Sequence, residues 1–416
     1  MLFRHVLGLG ALLLTASCAT PSSPSASVSE AFSPVPTLQV SETLGVISTA
    51  PNEAFQLDEL HGDKQPLDDE FELDNMPKPS SSPAVPVPPV PVDYGTKVAV
   101  DLWQWGAKAA VSYTLDEGVE EPYLFLLPEL EKRGWKASFF IYTRQPAPAK
   151  AWDDILLAYQ QGHEVSNHTL THPNMTQISD AQLVVEMEAG ITDLKNLGIK
   201  RPMYSFAYPY EATDDRVWSV VKKYHRYARS GDGGIEVPPN PVPINDARKP
   251  NFGALTAKAN TRNFTVAQWN SWIDATHASG GWFIEEWHGV EKDGRKGGWE
   301  PRTMDEFNAH FDHVETFGDA LMVQPMGVVG NYIESRESAK IEVKQWSPEG
   351  VDITLSDDFD FTVPLTLRID VPEAWDLSRI EVTQAGKPVV LKGIGPHQVR
   401  IAVIADATLP IRLRHL

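Results

Sequence analysis

From residue 97 to about residue 338 the sequence alternates short apolar runs with segments of helical period, and this alternation restricts the fold more than any other feature. "KAAVSYTL" (108–115) reads as a strand, and "YLFLLPELEKRG" (123–134) has the helical period and closes on Gly134. "ASFFIY" (137–142) and "AWDDILLAYQQG" (151–162) repeat the pair, again with a closing glycine. "HEVSNH" (163–168), "MYSFAYP" (203–209), "RYARS" (226–230) and "GWFIEEWH" (281–288) are further strands. The helices between them include "SDAQLVVEMEAGITDLKNLG" (179–198), with Ser179 as its N-cap, "VWSVVKKY" and "VAQWNSWIDATHAS". Strand and helix alternating this often predict parallel strands, in a barrel or in a doubly wound sheet.

The period changes at residue 339. "KIEVKQW", "VDITLS", "LTLRIDV", "IEVTQAG", "QVRIAVIA" and "LPIRLRHL" alternate residue by residue, which predicts a small antiparallel β-sandwich over 339–416. Residues 19–96 have neither period. They are rich in Ser, Pro and acid, end in a Pro-Val run suited to polyproline II, and read as a disordered linker. Residues 1–18 carry Arg4, an apolar stretch from Val6 to Leu14, and small residues before Cys18, the only cysteine in the chain. They resemble a bacterial lipoprotein signal with Cys18 as the lipidated residue. An ordinary cleaved secretory signal is the alternative, and either predicts export. Acyl chains would anchor the protein in the cell envelope without spanning a membrane.

Net charge is −20, and nine acidic residues with a single lysine fall between Glu53 and Asp74, inside the linker. Such a balance excludes nucleic acid, whose phosphates require Lys and Arg surfaces.

Parallel α/β folds present reactive groups at the C-terminal ends of their strands. Here those ends carry Asp116-Glu117, the pair His168 and His172, Tyr208-Pro209-Tyr210, Arg229, and His288. Two neutral imidazoles and a carboxylate form a common divalent-metal set that leaves positions open for water and substrate. A second carboxylate can then act as base and a separate histidine as acid. Strand parity puts Glu286 on the side of His288, where it either orients that imidazole or lies exposed near the strand end. His163 begins its strand and reads as structural. Trp103, Trp105, Trp282, Trp287 and Trp299 are either core residues or sugar-stacking surfaces.

Across residues 98–335 the sequence resembles the polysaccharide deacetylase (NodB-homology) family of carbohydrate esterases. Thr114-Leu115-Asp116-Glu117-Gly118 is similar to its Thr-Phe-Asp-Asp-Gly motif, His168-Thr169-Leu170-Thr171-His172 to its His-Ser/Thr-x-x-His motif, and "WFIEEWH" to its last strand ending in histidine. The resemblance implies an α/β fold, a distorted (β/α) barrel, over 97–338, and the alternating period adds the small all-β sandwich-like domain after it. It implies a divalent metal, usually zinc, and removal of N- or O-linked acetyl groups from a polysaccharide or oligosaccharide.

Carried over by position, Asp116 is the base that activates a water on the metal, and His288 is the acid. Glu117, His168 and His172 are the metal ligands. Tyr208, Pro209, Tyr210 and Trp287 are expected to bind substrate. Two departures stand out. Glu117 replaces the metal-binding aspartate, so it either still reaches the metal, alters metal preference or weakens catalysis. Ala207-Tyr208-Pro209-Tyr210 lacks the arginine of the family's Arg-x-Pro-Tyr/Phe motif, and Arg229 is the expected substitute. A catalytically inactive carbohydrate-binding protein on the same fold is the alternative. The C-terminal β-domain is expected either to bind glycan or to pack against the barrel.

Overall fold

The computed structural model describes residues 97–144, 151–231, 242–347 and 350–416. The signal and linker expected over 1–96 lie outside these residues. A parallel sheet runs in the order β6 (Tyr227–Arg229), β5 (Ser205–Ala207), β4 (Glu164–Asn167), β3 (Ser138–Ile141), β2 (Ala109–Asp116), β9 (Trp282–Trp287). Beyond β9, β8 (Lys258–Ala259) pairs with it in parallel and β7 (Ile244–Asn245) antiparallel. Leu255, just before β8, forms a parallel bridge to Arg229 on β6. The segment around it therefore spans from one edge of the curled sheet to the other, which gives the distorted barrel.

Helices α1 (Glu120–Lys132), α2 (Trp152–Gln160), α3 (Asp180–Leu197), α4 (Asp215–Val221), α5 (Val266–Ser279), α6 (Met304–Glu315) and α7 (Met326–Ser338) connect and cover these strands. Their ends follow local chemistry. Ser179 and Gln182 form a capping box on α3, and Gly198 closes it in the left-handed region at φ 111°. Thr265 and Gln268 do the same for α5, closed by Gly280.

Strand parity sorts the side chains. On β2, Val111, Tyr113 and Leu115 join the apolar layer beneath α1, α5 and α6. Ser112, Thr114 and Asp116 alternate with them and take the inner side. On β9, Phe283 and Trp287 belong to the outer layer, whereas Trp282 and Ile284 fill the barrel base with Ala110, Phe140 and Ala207. Buried polar groups at that base are satisfied: Trp282 Nε1 donates to Ser112 Oγ at 3.0 Å, and Ser112 Oγ to the Gln324 carbonyl at 2.8 Å.

The C-terminal residues form two antiparallel sheets, as their period predicts. One has the order Lys340–Ser347, Gly350–Ser356, Ile411–His415, Ile380–Gln384, Lys387–Pro388. The other contains Leu365–Asp370, Gln398–Val403 and Leu391–Gly395, but its edge strand is β1 (Val98–Val100), paired with Ile369, Arg368 and Leu367. The sandwich thus takes a strand from residues expected to belong to the barrel. Its inner face, including Leu367, Ile401 and Leu413, shares one continuous apolar core with Met326, Val329 and Tyr332 of α7 and with Trp103. Next to β1, the buried Asp101 pairs with Arg400 and lies 3.8 Å from Arg368, while its carbonyl accepts from Tyr332 Oη at 2.9 Å.

Candidate active site

The C-terminal strand ends converge on Asp116. Its Oδ2 accepts from Arg229 Nη2 and lies 3.7 Å from His168 Nε2 and 3.9 Å from His288 Nε2. The other guanidinium nitrogen, Nη1, pairs with Glu286, whose Oε1 is 3.6 Å from His288 Nε2. Burial alone would raise the Asp116 pKa, but the charges of Arg229, His168 and His288 outweigh it and hold the carboxyl below its usual range. Arg229, the expected substitute for the arginine that position 207 lacks, lies at the same level one strand over, because Ala207 and Arg229 are direct register partners in β5 and β6.

After Asp116 the chain leaves the strand through Glu117 at φ 77° and Gly118 at φ 80°. Only the second is a glycine, so Glu117 takes a strained conformation of the kind that clusters at functional sites. Burial, together with Asp116 and against His288, raises the Glu117 pKa.

His168 follows β4. Its Nδ1–H donates to the Ala207 carbonyl at 2.8 Å, so the neutral ring presents a bare Nε2 toward Asp116. Burial drives its pKa down to about 3. Thr169 and His172 both adopt positive φ, 73° and 60°. The loop between them is shaped from behind. Asn167 Oδ1 accepts from Thr169 N at 2.9 Å, and Thr169 Oγ1 from His172 N at 2.9 Å. The Glu186 carboxylate on α3 accepts from Leu170 N, Thr171 N and Thr171 Oγ1 at 2.9, 2.8 and 2.7 Å. Buried His225 donates to the Met203 carbonyl at 2.9 Å, and its Nε2 faces Asn167 Nδ2 at 3.4 Å. Gly190 admits α3 to this loop, since a Cβ there would lie 2.5 Å from Asn167 Oδ1.

The His172 ring is 4.8 Å from His168, 4.9 Å from Tyr142 and 4.7 Å from Tyr210 between centroids. Burial, then Glu117 and Tyr210, raise the Tyr142 pKa. Tyr142 follows β3 directly and was findable by the strand-end rule. Glu211 was also missed. It stands at φ 56° beside Tyr210 at φ 56°, and its charge acts on Arg229 and His288. A Cβ on Gly231 would lie 1.7 Å from its carboxylate.

Three expectations for substrate binding are corrected. Trp287 is one residue from Glu286, so parity turns it outward, stacked on Tyr113 with centroids 4.5 Å apart. Tyr208 is buried among Met175, Leu183 and Val217, and its hydroxyl donates to the Gly253 carbonyl at 2.8 Å. Pro209 is buried beneath the turn that exposes Tyr210. His163 faces away from the site, with Nε2 2.6 Å from Glu131 Oε1 and Nδ1 accepting from Ala137 N at 3.0 Å.

Among the described residues, the donors lying within 4.8 Å of one another belong to Asp116, Glu286 and His288, not to Glu117, His168 and His172. Arg229 already occupies the space between the two carboxylates of that tighter set, and its charge opposes a cation there. The bare His168 Nε2 suits a divalent cation better, with Glu117 and His172 bordering the same space, and the buried Asp116 Oδ1 beside them has no partner and is left to act as a base.

Residues 106–228 match the family model described as polysaccharide deacetylase. Over this stretch the chain is similar to the polysaccharide deacetylase family. Among curated relatives, a gellan lyase from Bacillus sp. is 23% identical over 344 residues, which are 76% of this chain and 13% of the lyase. Chitin deacetylase 1 from Saccharomyces cerevisiae is 29% identical over 115 residues, 27% of this chain and 36% of that protein. The chain therefore spans only a minor part of either relative. Among solved structures, the Xyl-CE4 domain of a multidomain xylanase from the hindgut metagenome of Trinervitermes trinervoides is 17% identical, with 53% of this chain and 89% of that one covered and a TM-score of 0.37. A CE4 family pseudoenzyme from Bacillus anthracis is 14% identical, with 52% and 64% covered and a TM-score of 0.35.

Proposed function

We propose that the chain is a metal-dependent hydrolase that removes acetyl groups from a polysaccharide or oligosaccharide. The observation that carries this reading is the buried Asp116 carboxylate, held ionised by Arg229 and facing both His168 and His288. Glu117, His168 and His172 would hold a divalent cation, zinc in the reading that the family suggests. When bound, it supplies Lewis acidity toward the acetyl carbonyl and the attacking water. Asp116 takes the water's proton through its unpartnered Oδ1. Arg229 keeps that carboxylate anionic and oriented. His288 gives a proton to the departing sugar oxygen or nitrogen, with Glu286 beside it. The Tyr210 backbone N–H is the proposed donor to the oxyanion. The signal-like residues 1–18 and the Ser/Pro linker support export and attachment to the cell envelope.

Acetate release from acetylated xylan and from chitin oligosaccharides tests the reading, with chelator, His168→Ala and Asp116→Asn each expected to abolish it. The strained, lengthened Glu117 favours a second reading, a carbohydrate-binding protein without catalysis. Glycan binding by a metal-loaded protein that releases no acetate from any of these substrates would establish that reading instead.

A further inference from the structure

Among the exposed large apolar side chains of the described residues, only two are aromatic: Tyr210, 67% exposed, and Trp299, 51% exposed. Both rest on imidazoles of the candidate site. Tyr210 meets His172 edge-on, and Trp299 meets His288 with centroids 5.0 Å apart and planes at 79°. By contrast, Trp103, Trp269, Trp282 and Trp287 are fully buried.

The placement of Trp299 is built into the backbone. Immediately after His288, residues Val290–Lys292 and Arg295–Gly297 form a hairpin whose Asp293-Gly294 turn has φ of 53° and 78°. The chain then returns against the strand end. A Cβ on Gly298 would lie 2.7 Å from Gly289 Cα and the His288 carbonyl oxygen, and one on Gly289 would lie 2.7 Å from the Trp299 carbonyl oxygen. Only glycines allow that approach, and it brings Trp299 beside His288. Further bonds pin the segment: Arg295 Nε donates to Glu121 at 3.1 Å, Arg262 N to Glu300 Oε2 at 3.0 Å, and Arg302 Nη1 to the Thr261 and Phe264 carbonyls at 2.9 and 2.7 Å. An indole held this firmly yet half open to water is prepared for a flat partner with an apolar face. The C–H face of a pyranose ring has that shape and a complementary polarity toward an aromatic π-cloud.

We propose that Trp299 is a substrate-binding platform on which the sugar ring bearing the acetyl group, or the ring next to it, stacks beside His288. This inference rests on the deacetylase reading, since His288 is placed there as the acid at the departing sugar atom. With Tyr210 on the His172 side, Trp299 makes the site select a chain of pyranose rings over an isolated acetyl ester.

The test compares wild type, Trp299→Ala and Trp299→Phe on an acetylated oligosaccharide and on 4-nitrophenyl acetate, which has no sugar. Trp299→Ala is expected to lower the ratio of kcat/KM on the oligosaccharide to that on the aryl ester about tenfold, through KM, and Trp299→Phe to restore most of it. Equal loss on both substrates would mean that Trp299 only supports His288, and would overturn the proposal, as would an unchanged ratio. Affinity electrophoresis in gels containing acetylated xylan or glycol chitin separates this from the deacetylase reading. A wild type that releases no acetate defeats that reading. Loss of retardation in Trp299→Ala still supports the platform, and equal retardation overturns it.

Discussion

Arg229 and Asp116 form an ion pair inside the barrel mouth with side chains only 1% and 3% exposed, and the same guanidinium holds Glu286. A buried pair of this kind is costly to break, because removing one partner leaves the other charged and unsolvated. Arg229→Gln is therefore expected to destabilise the fold by about 3–5 kcal/mol and to abolish acetate release. Since Ala207 is the register partner of Arg229, adding Ala207→Arg to an Arg229→Ala background should recover part of both losses. Urea unfolding and acetate release on the single and double variants check this, and no recovery would mean that the two positions are not equivalent sources of the guanidinium.

Acid should weaken the fold in two stages. Burial drives His163 and His225 each down to about 4, so the unfolded chain, with imidazoles near 6.5, binds more protons between those values. Their contribution is complete above the unfolded value and is lost as pH falls from about 6.5 toward 4. The depressed Asp116 adds stability that is present above the ordinary aspartate range and disappears as pH falls through its lower folded value. Urea midpoints measured from pH 7.5 to 4.5 should fall steadily. His225→Asn should be less stable at pH 7.5 but show a shallower fall.

Metal binding should depend on the carboxylate at position 117 more than on its length. Glu117→Gln and His172→Ala are expected to lose most bound metal and activity after dialysis, whereas Glu117→Asp keeps the charge and retains metal. Elemental analysis of each variant, with and without chelator, reads this directly. Full metal content in Glu117→Gln would remove that residue from the ligand set.

The loop carrying His168 and His172 should be sensitive to a methyl group on the helix behind it. In Gly190→Ala the new Cβ would lie 2.5 Å from Asn167 Oδ1 and 3.2 Å from the Thr169 backbone. Overpacking of this kind costs about 1–3 kcal/mol. It should also weaken metal affinity, because Asn167 holds Thr169 and Thr169 holds His172. Metal titration by calorimetry alongside thermal melts tests both effects.

Removing residues 339–416 is expected to leave an insoluble barrel. The truncation strips cover from Met326, Val329, Tyr332 and Ile333 of α7 and leaves β1 without its partner. A soluble 97–338 fragment with a cooperative thermal transition would contradict the shared core.

Much of the barrel and part of its mouth could be read without coordinates. Hydrophobic period located the strands and helices, and alternation along "WFIEEWH" put Glu286 and His288 on one side. The same alternation turns Trp287 outward, onto Tyr113 and away from the site. Tyr142 lay at a strand end and was overlooked. Glu186 and His225 carried no local signal, because a glutamate on a helix and a histidine in a loop look alike whether they face water or brace the loop that carries His168 and His172.

Local order in this chain is short-range chemistry: period, caps and glycine stops act over a few residues, and they are written in the sequence. Lateral relations are not. Asp116 meets an arginine from β6 rather than β5, β1 completes a sheet more than 260 residues downstream, and Trp299 rather than its buried counterparts stands open beside His288. Each depends on which strands pair, at what register, and how closely two glycines let the backbone fold back. Those choices are made by packing across the whole molecule.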